Sequence, residues 1–218
     1  MLDLLLPQRC LGCGRHGEQL CAACLERLPR LEPPLCARCG APTAWPVERC
    51  RECAGRRLAF ATARAALAYE SDVRTFVSAW KERGLRKLAA VAADVTAEAL
   101  ARPAVDAIAF VPADPSRGPK RGHHPAERLA QELGARWKLP VEPLLERARP
   151  LRRQRGLPLP ERRRNVAGAF RPTARAPTRV ALFDDVYTSG ATAAAAASAL
   201  RKAGARRVEV LTLARTIR

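Results

Sequence analysis

Eight cysteines fall between Cys10 and Cys53, and the rest of the 218-residue chain has none. They form four Cys-x-x-Cys pairs: Cys10/Cys13, Cys21/Cys24, Cys36/Cys39 and Cys50/Cys53. A two-residue gap lets two thiolates meet one tetrahedral ion from a tight knuckle. Gly12, Gly14 and Gly40 sit inside or just after the knuckles, where the backbone must turn. The set therefore predicts two Zn²⁺ ions, each held by four thiolates. Sequential and interleaved groupings use the same ligands, and spacing does not choose between them. His16 lies between the first two pairs, but eight thiols already complete both sites, so it reads as a surface residue. A closed four-thiolate site has no open coordination position, so its work is folding or docking rather than catalysis. The stretch holds few apolar residues, and the metal is expected to hold it together.

Disulfides are the competing use of cysteine. They belong to oxidising compartments. The opening Met1–Pro7 (MLDLLLP) carries Asp3 and lacks a basic n-region, which makes a poor signal peptide. No apolar run approaches the roughly 20 residues of a membrane span. The expectation is a cytoplasmic protein without membrane insertion.

From about Ala61 the composition shifts to Ala, Leu and Val with helical spacing, so residues 1–60 read as a zinc module and 61–218 as a second domain. Val73, Phe76, Val77 and Trp80 share one helical face. A second helical stretch runs from about Leu85 to Ala101. Pro125 suits the first position of a helix carrying Leu129, Leu133 and Trp137. Ile108–Val111, Arg179–Phe183 and Arg207–Leu213 read as strands. Ala191–Ala203 reads as a helix closed by Gly204. Strand, helix, strand at the C-terminus predicts an α/β fold with a parallel sheet, whose ligands bind beyond the carboxyl ends of the strands.

One segment lies at such a place: Val180-Ala-Leu-Phe-Asp184-Asp185-Val186-Tyr187-Thr188-Ser189-Gly190-Ala191-Thr192. A buried strand delivers two carboxylates, then a turn with hydroxyls and a glycine leads into a helix. Backbone N–H groups at that turn, with the helix dipole, favour a phosphate. Thr188, Ser189 and Thr192 add hydroxyls. Asp184 and Asp185 suit the diol of a ribose, directly or through Mg²⁺. A buried acidic pair without a partner would be costly, which weighs against an incidental one.

Four apolar residues, two acids, two further residues and Thr-Ser-Gly-x-Thr resemble the phosphoribosyl pyrophosphate motif of type I phosphoribosyltransferases. Other segments are similar to the ComF family: Trp80-Lys81-x-x-Gly84; Val111-Pro112 with Arg117, Lys120 and Arg121-Gly122; Gln154, Leu157, Arg162 and Asn165-Val166-x-Gly168-Ala-Phe170. The four cysteine pairs resemble that family's double zinc ribbon. The chain departs where the family carries Phe-Asn-Gln: here His123, His124 and Pro125 follow Gly122. The resemblance implies a phosphoribosyltransferase-type domain with Asp184 and Asp185 at its centre. It also implies a turn near Pro112–Asp114 facing pyrophosphate, with Arg117, Lys120 and Arg121 neutralising it. A mobile loop over the site would come from residues 146–175.

The net charge is +18, and +8 of it lies in residues 146–175. Such a patch attracts nucleic acid or polyphosphorylated small molecules. Two function classes follow. One is a Mg²⁺-dependent phosphoribosyltransferase of unspecified acceptor, favoured by the intact acidic and hydroxyl motif. The other is a non-catalytic module for single-stranded DNA or DNA-uptake proteins, implied by the ComF resemblance and favoured by the charge. With five Phe, two Tyr and three Trp, stacking platforms are sparse, so DNA contact is expected to be led by phosphate.

Overall fold

The structure is a computed structural model that describes residues 8–82, 87–113, 124–149, 161 and 165–217. Small and branched apolar residues build its sheet. Strand β2 (Ala107–Phe110) is buried throughout, and β5 (Arg179–Tyr187) is buried from Val180 to Phe183. Uninterrupted burial is the pattern of parallel strands covered on both faces. With β1 (Thr62–Ala68) and β6 (Arg207–Arg215) they form a four-stranded, all-parallel sheet in the order β1-β6-β5-β2. Val141 adds a single parallel bridge at Ile108, on the outer side of β2.

Helices α2 (Ser71–Glu82), α3 (Leu88–Ala99) and α4 (Pro125–Trp137) contribute to one apolar cluster, around Trp80, Leu88, Leu129 and Phe183. Helix α5 (Ala191–Lys202) lies with the opposite cluster, around Leu182, Ala196, Leu200 and Val210. Its Ala-rich face lets it seat closely on β5 and β6. Two short antiparallel strands, β3 (Leu145–Arg147) and β4 (Phe170–Pro172), pack beside α5. They frame the Arg-rich stretch whose middle, residues 150–160 and 162–164, lies outside the described residues.

The expected α/β class and parallel sheet are observed. Two local expectations are corrected. The Ala-rich start of the second region has helical spacing in the sequence, but Thr62–Ala68 is the edge strand β1. Pairing with β6 on one side overrides the helix preference of alanine. Strand β5 does not stop at Phe183. It runs through Asp184 and Asp185 to Tyr187 because β6 keeps partnering it as far as Arg215.

The cysteine-rich region is not held by metal ligands alone. It contains one five-residue helix, α1 (Ala22–Glu26). Cys10, Leu20, Cys24 and Leu28 join the α2–α3 side of the core, while Cys36, Cys39, Cys53, Leu58 and Phe60 join the α5 side. Between them the chain runs antiparallel along the free edge of β1. Ala68 N donates to Pro29 O (2.8 Å), Leu31 N to Ala66 O (3.0 Å) and Ala63 N to Arg38 O (2.9 Å). Gly40 makes the close approach possible: its φ is +69°, and a Cβ there would lie 2.5 Å from the Ala63 carbonyl.

Candidate functional site

The cysteines gather in sequential fours, Cys10/Cys13/Cys21/Cys24 and Cys36/Cys39/Cys50/Cys53, with the sulfurs of each set within 4.8 Å of one another. All eight are free thiols. Tetrahedral Zn–S bonds of about 2.3 Å place sulfurs about 3.8 Å apart. The observed separations include 3.6 Å (Cys10–Cys21), 3.7 Å (Cys13–Cys21), 3.6 Å (Cys36–Cys53) and 3.4 Å (Cys39–Cys50). Backbone N–H groups of Cys21 and Cys50 point at Cys10 Sγ and Cys36 Sγ at 3.4 and 3.3 Å. Burial pushes the Cys24 thiol up to about 12 and Cys53 up to about 11. Burial also opposes ionisation at Cys10 and Cys36, but backbone N–H donors outweigh it and bring these to about 6 and about 7. A divalent cation is what lets four clustered thiols ionise together. The two sets fit two structural zinc ions.

At the carboxyl end of the sheet, β5 carries the adjacent acids out of the core. Successive strand residues face opposite sides, and the two carboxylates part accordingly. Asp185 meets the ammonium of Lys81, the penultimate residue of α2, with Nζ to Oδ2 at 2.5 Å; the side chains are 25% and 15% exposed. Burial alone would pull the Lys81 ammonium down, but Asp185 and then Asp184 outweigh it, so it is held above its ordinary value. Asp184 instead lines a shallow cleft with Thr188, Gly190, Thr192 and Thr212. One of its oxygens accepts the Asp185 backbone N–H at 2.9 Å. Burial first, and the Asp185 charge second, raise the Asp184 carboxyl from 3.8 to about 7. A group poised there changes charge near neutral pH.

The turn after β5 is shaped by a glycine. Gly190 has φ +69° and is the N-cap of α5, with its carbonyl accepting the Ala194 N–H at 2.9 Å. A Cβ at this position would collide with the Tyr187 phenol, which folds back beneath the turn. Ser189 is buried, and its Oγ accepts the Ala191 N–H at 3.4 Å. Hydroxyls, turn backbone and helix N-terminus thus converge on the cleft that Asp184 lines.

Residues the sequence left without a role complete the surroundings. Arg147, on β3, donates through Nε to Pro112 O (2.9 Å) and Ala113 O (3.0 Å), pinning the Val-Pro turn at the end of β2. Its charge also reaches Asp184 and lowers that carboxyl in part. Arg56, from the second cysteine set, donates to the Ser189 carbonyl at 2.7 Å. Arg215, at the end of β6 and 1% exposed, donates to Cys39 O at 2.6 Å and pairs with Glu52 at 2.9 Å. Its guanidinium lies 5.2 Å from the centre of the Tyr187 ring, and Phe60 meets that ring edge-on. Thr216 ties the other side of the turn, donating to Thr188 O at 3.1 Å. Lys81 belongs to the Trp80-Lys81-x-x-Gly84 segment, but only the fold brings it to Asp185. Arg117, Lys120, Arg121, Asp114 and His123 lie outside the described residues, as do Gly84, Gln154, Leu157 and Arg162.

Comparisons with known proteins bear on the cysteine region and on the chain as a whole. Residues 1–54 match the family described as a double zinc ribbon domain. Over 225 aligned residues the chain is 26% identical to "Competence protein F" of Haemophilus influenzae, covering 95% of this chain and 96% of that protein. Among the described residues no helix is long and apolar enough to cross a membrane.

Proposed function

Starting from the ComF-family assignment that the zinc ribbon and the near full-length similarity support, we propose that this chain has a competence-related role and binds a 5-phosphoribosyl group through Asp184–Thr192. The ligand is phosphoribosyl pyrophosphate or a nucleotide, and the setting is the handling of single-stranded DNA during uptake. One observation carries the reading: Asp184, Thr188, Gly190 and Thr192 line a single cleft at the N-terminus of α5, beyond the carboxyl end of β5. That is where an open parallel sheet holds its ligands.

In this reading the turn N–H groups and the hydroxyls of Thr188 and Thr192 take the 5-phosphate. Asp184 takes ribose hydroxyls, and Asp185 is oriented by Lys81. The carbonyl-pinned Pro112–Ala113 turn faces the pyrophosphate end. Mg²⁺ arriving with the ligand would be held by Asp184 or Asp185 and would neutralise leaving pyrophosphate charge. Arg117, Lys120 and Arg121 belong to the same proposal as cations near that end.

Calorimetric titration of phosphoribosyl pyrophosphate with Mg²⁺ into zinc-loaded protein tests it. The expected result is saturable binding that Asp184→Ala combined with Asp185→Ala abolishes while leaving the thermal melt cooperative. Absence of heat in a folded, zinc-loaded sample would overturn it.

A further inference from the structure

A second cavity shares no lining residue with the Asp184 cleft. It is a groove of about 360 Å³ in the second cysteine set, lined by Pro42, Thr43, Trp45, Val47, Arg49 and Arg51 among others. That volume falls in the range of small-ligand sites. Trp45 is 68% exposed, the most exposed large apolar side chain among the described residues. Trp80 and Trp137 are buried, as an indole ordinarily is.

The loop presenting Trp45 is held at both flanks. Thr43 N and Thr43 Oγ1 donate to Pro34 O at 3.0 and 3.2 Å. Ala37 N donates to Val47 O at 2.8 Å and Arg38 N to Glu48 O at 3.1 Å. The indole is therefore displayed on fixed backbone, so occupying it orders little that was free. Its neighbours are cationic. Arg49 and Arg51 are exposed and line the same groove. Of the acids nearby, Glu52 is matched by the buried Arg215, which leaves Glu48.

An exposed aromatic face sharing a groove with two exposed arginines suits a planar, anionic-backbone ligand. The face takes a base by stacking, and the guanidinium groups take phosphates. We infer that the Trp45 groove is a binding site for single-stranded nucleic acid, with one unpaired base stacked on Trp45 and flanking phosphates on Arg49 and Arg51. This rests on the DNA part of the proposed function and is independent of the phosphoribosyl cleft. It gives the basic chain a base-contacting point in addition to its phosphate attraction.

Tryptophan emission of the zinc-loaded full chain reads the site directly, because the other two indoles are buried. A short oligothymidylate should quench it saturably, and an abasic chain of equal length should bind more weakly without quenching. Trp45→Ala should weaken oligothymidylate binding about tenfold, and Trp45→Phe should recover most of it. Arg49→Gln with Arg51→Gln should lower the log–log salt slope by about 1.4, the value for two phosphate contacts on a single strand. Equal affinity for the abasic chain, or no change with Trp45→Ala, would overturn the site. Stronger quenching by polyglutamate than by oligothymidylate would overturn it in favour of an acidic peptide. Phosphoribosyl pyrophosphate binding that persists in Trp45→Ala shows that the cleft reading stands or falls separately.

Discussion

Asp184 and Gly190 set the behaviour of the cleft at the scale of single residues. The Asp184 carboxyl, raised from 3.8 to about 7, holds a proton in the folded chain that the unfolded chain releases earlier. Folding stability is therefore greatest below about pH 4 with respect to this group and declines as pH rises through the window up to about 7. Thermal melts of Asp184→Asn across that window should show a flatter pH dependence than the parent, with the gain largest near pH 8. Gly190 responds to shape rather than charge. A side chain there needs a left-handed backbone and displaces the Tyr187 ring. Gly190→Ala should cost about 1–3 kcal/mol in stability, measured by denaturant titration. It should also weaken phosphoribosyl pyrophosphate binding more than that loss explains.

At the scale of elements, the second cysteine set and the turn before α5 act as one piece. Arg56 reaches the Ser189 carbonyl from one side, and Arg215 joins β6 to the Cys39 carbonyl and Glu52 from beneath. Arg56→Ala removes a charge-assisted hydrogen bond and should cost about 1.5–3 kcal/mol. Arg215→Met leaves the half-buried Glu52 without its cation and the buried Cys39 carbonyl without its donor, and should cost more, about 3–5 kcal/mol. Equilibrium unfolding of both variants, with the order of the two losses, checks this. The elements differ in how legible they were. Helices α2, α4 and α5 and strand β2 could be read from periodicity, a proline start and a glycine stop. Strand β1 could not, because an alanine-rich segment takes its conformation from the strand and loop beside it. Strands β3 and β4 are three residues each, too short to show alternation. The motif at Asp184–Thr192 announced its chemistry locally. Lys81, Arg147, Arg56 and Arg215 did not, since each reaches its place only through tertiary packing.

For the whole molecule, the zinc region and the sheet share their cores. Cys10 and Cys24 lie in the apolar cluster of α2 and α3, and Cys36, Cys39 and Cys53 in that of α5. Structural zinc is worth many kcal/mol of folding energy in small modules. Its removal by a chelator should lower the melting temperature of the chain by more than about 10 °C. It should also speed amide exchange in α5 as well as in the cysteine loops. Loss confined to the loops would show that the shared core does not transmit metal loss. The strand edges of the sheet carry a different consequence. The backbone of residues 29–38 lies along β1, and Pro140–Glu142 lies along β2. Among the described residues, both margins of the four-stranded sheet are thus partly covered by the chain's own peptide groups. Continuation of that sheet into a second copy is hindered where these segments lie.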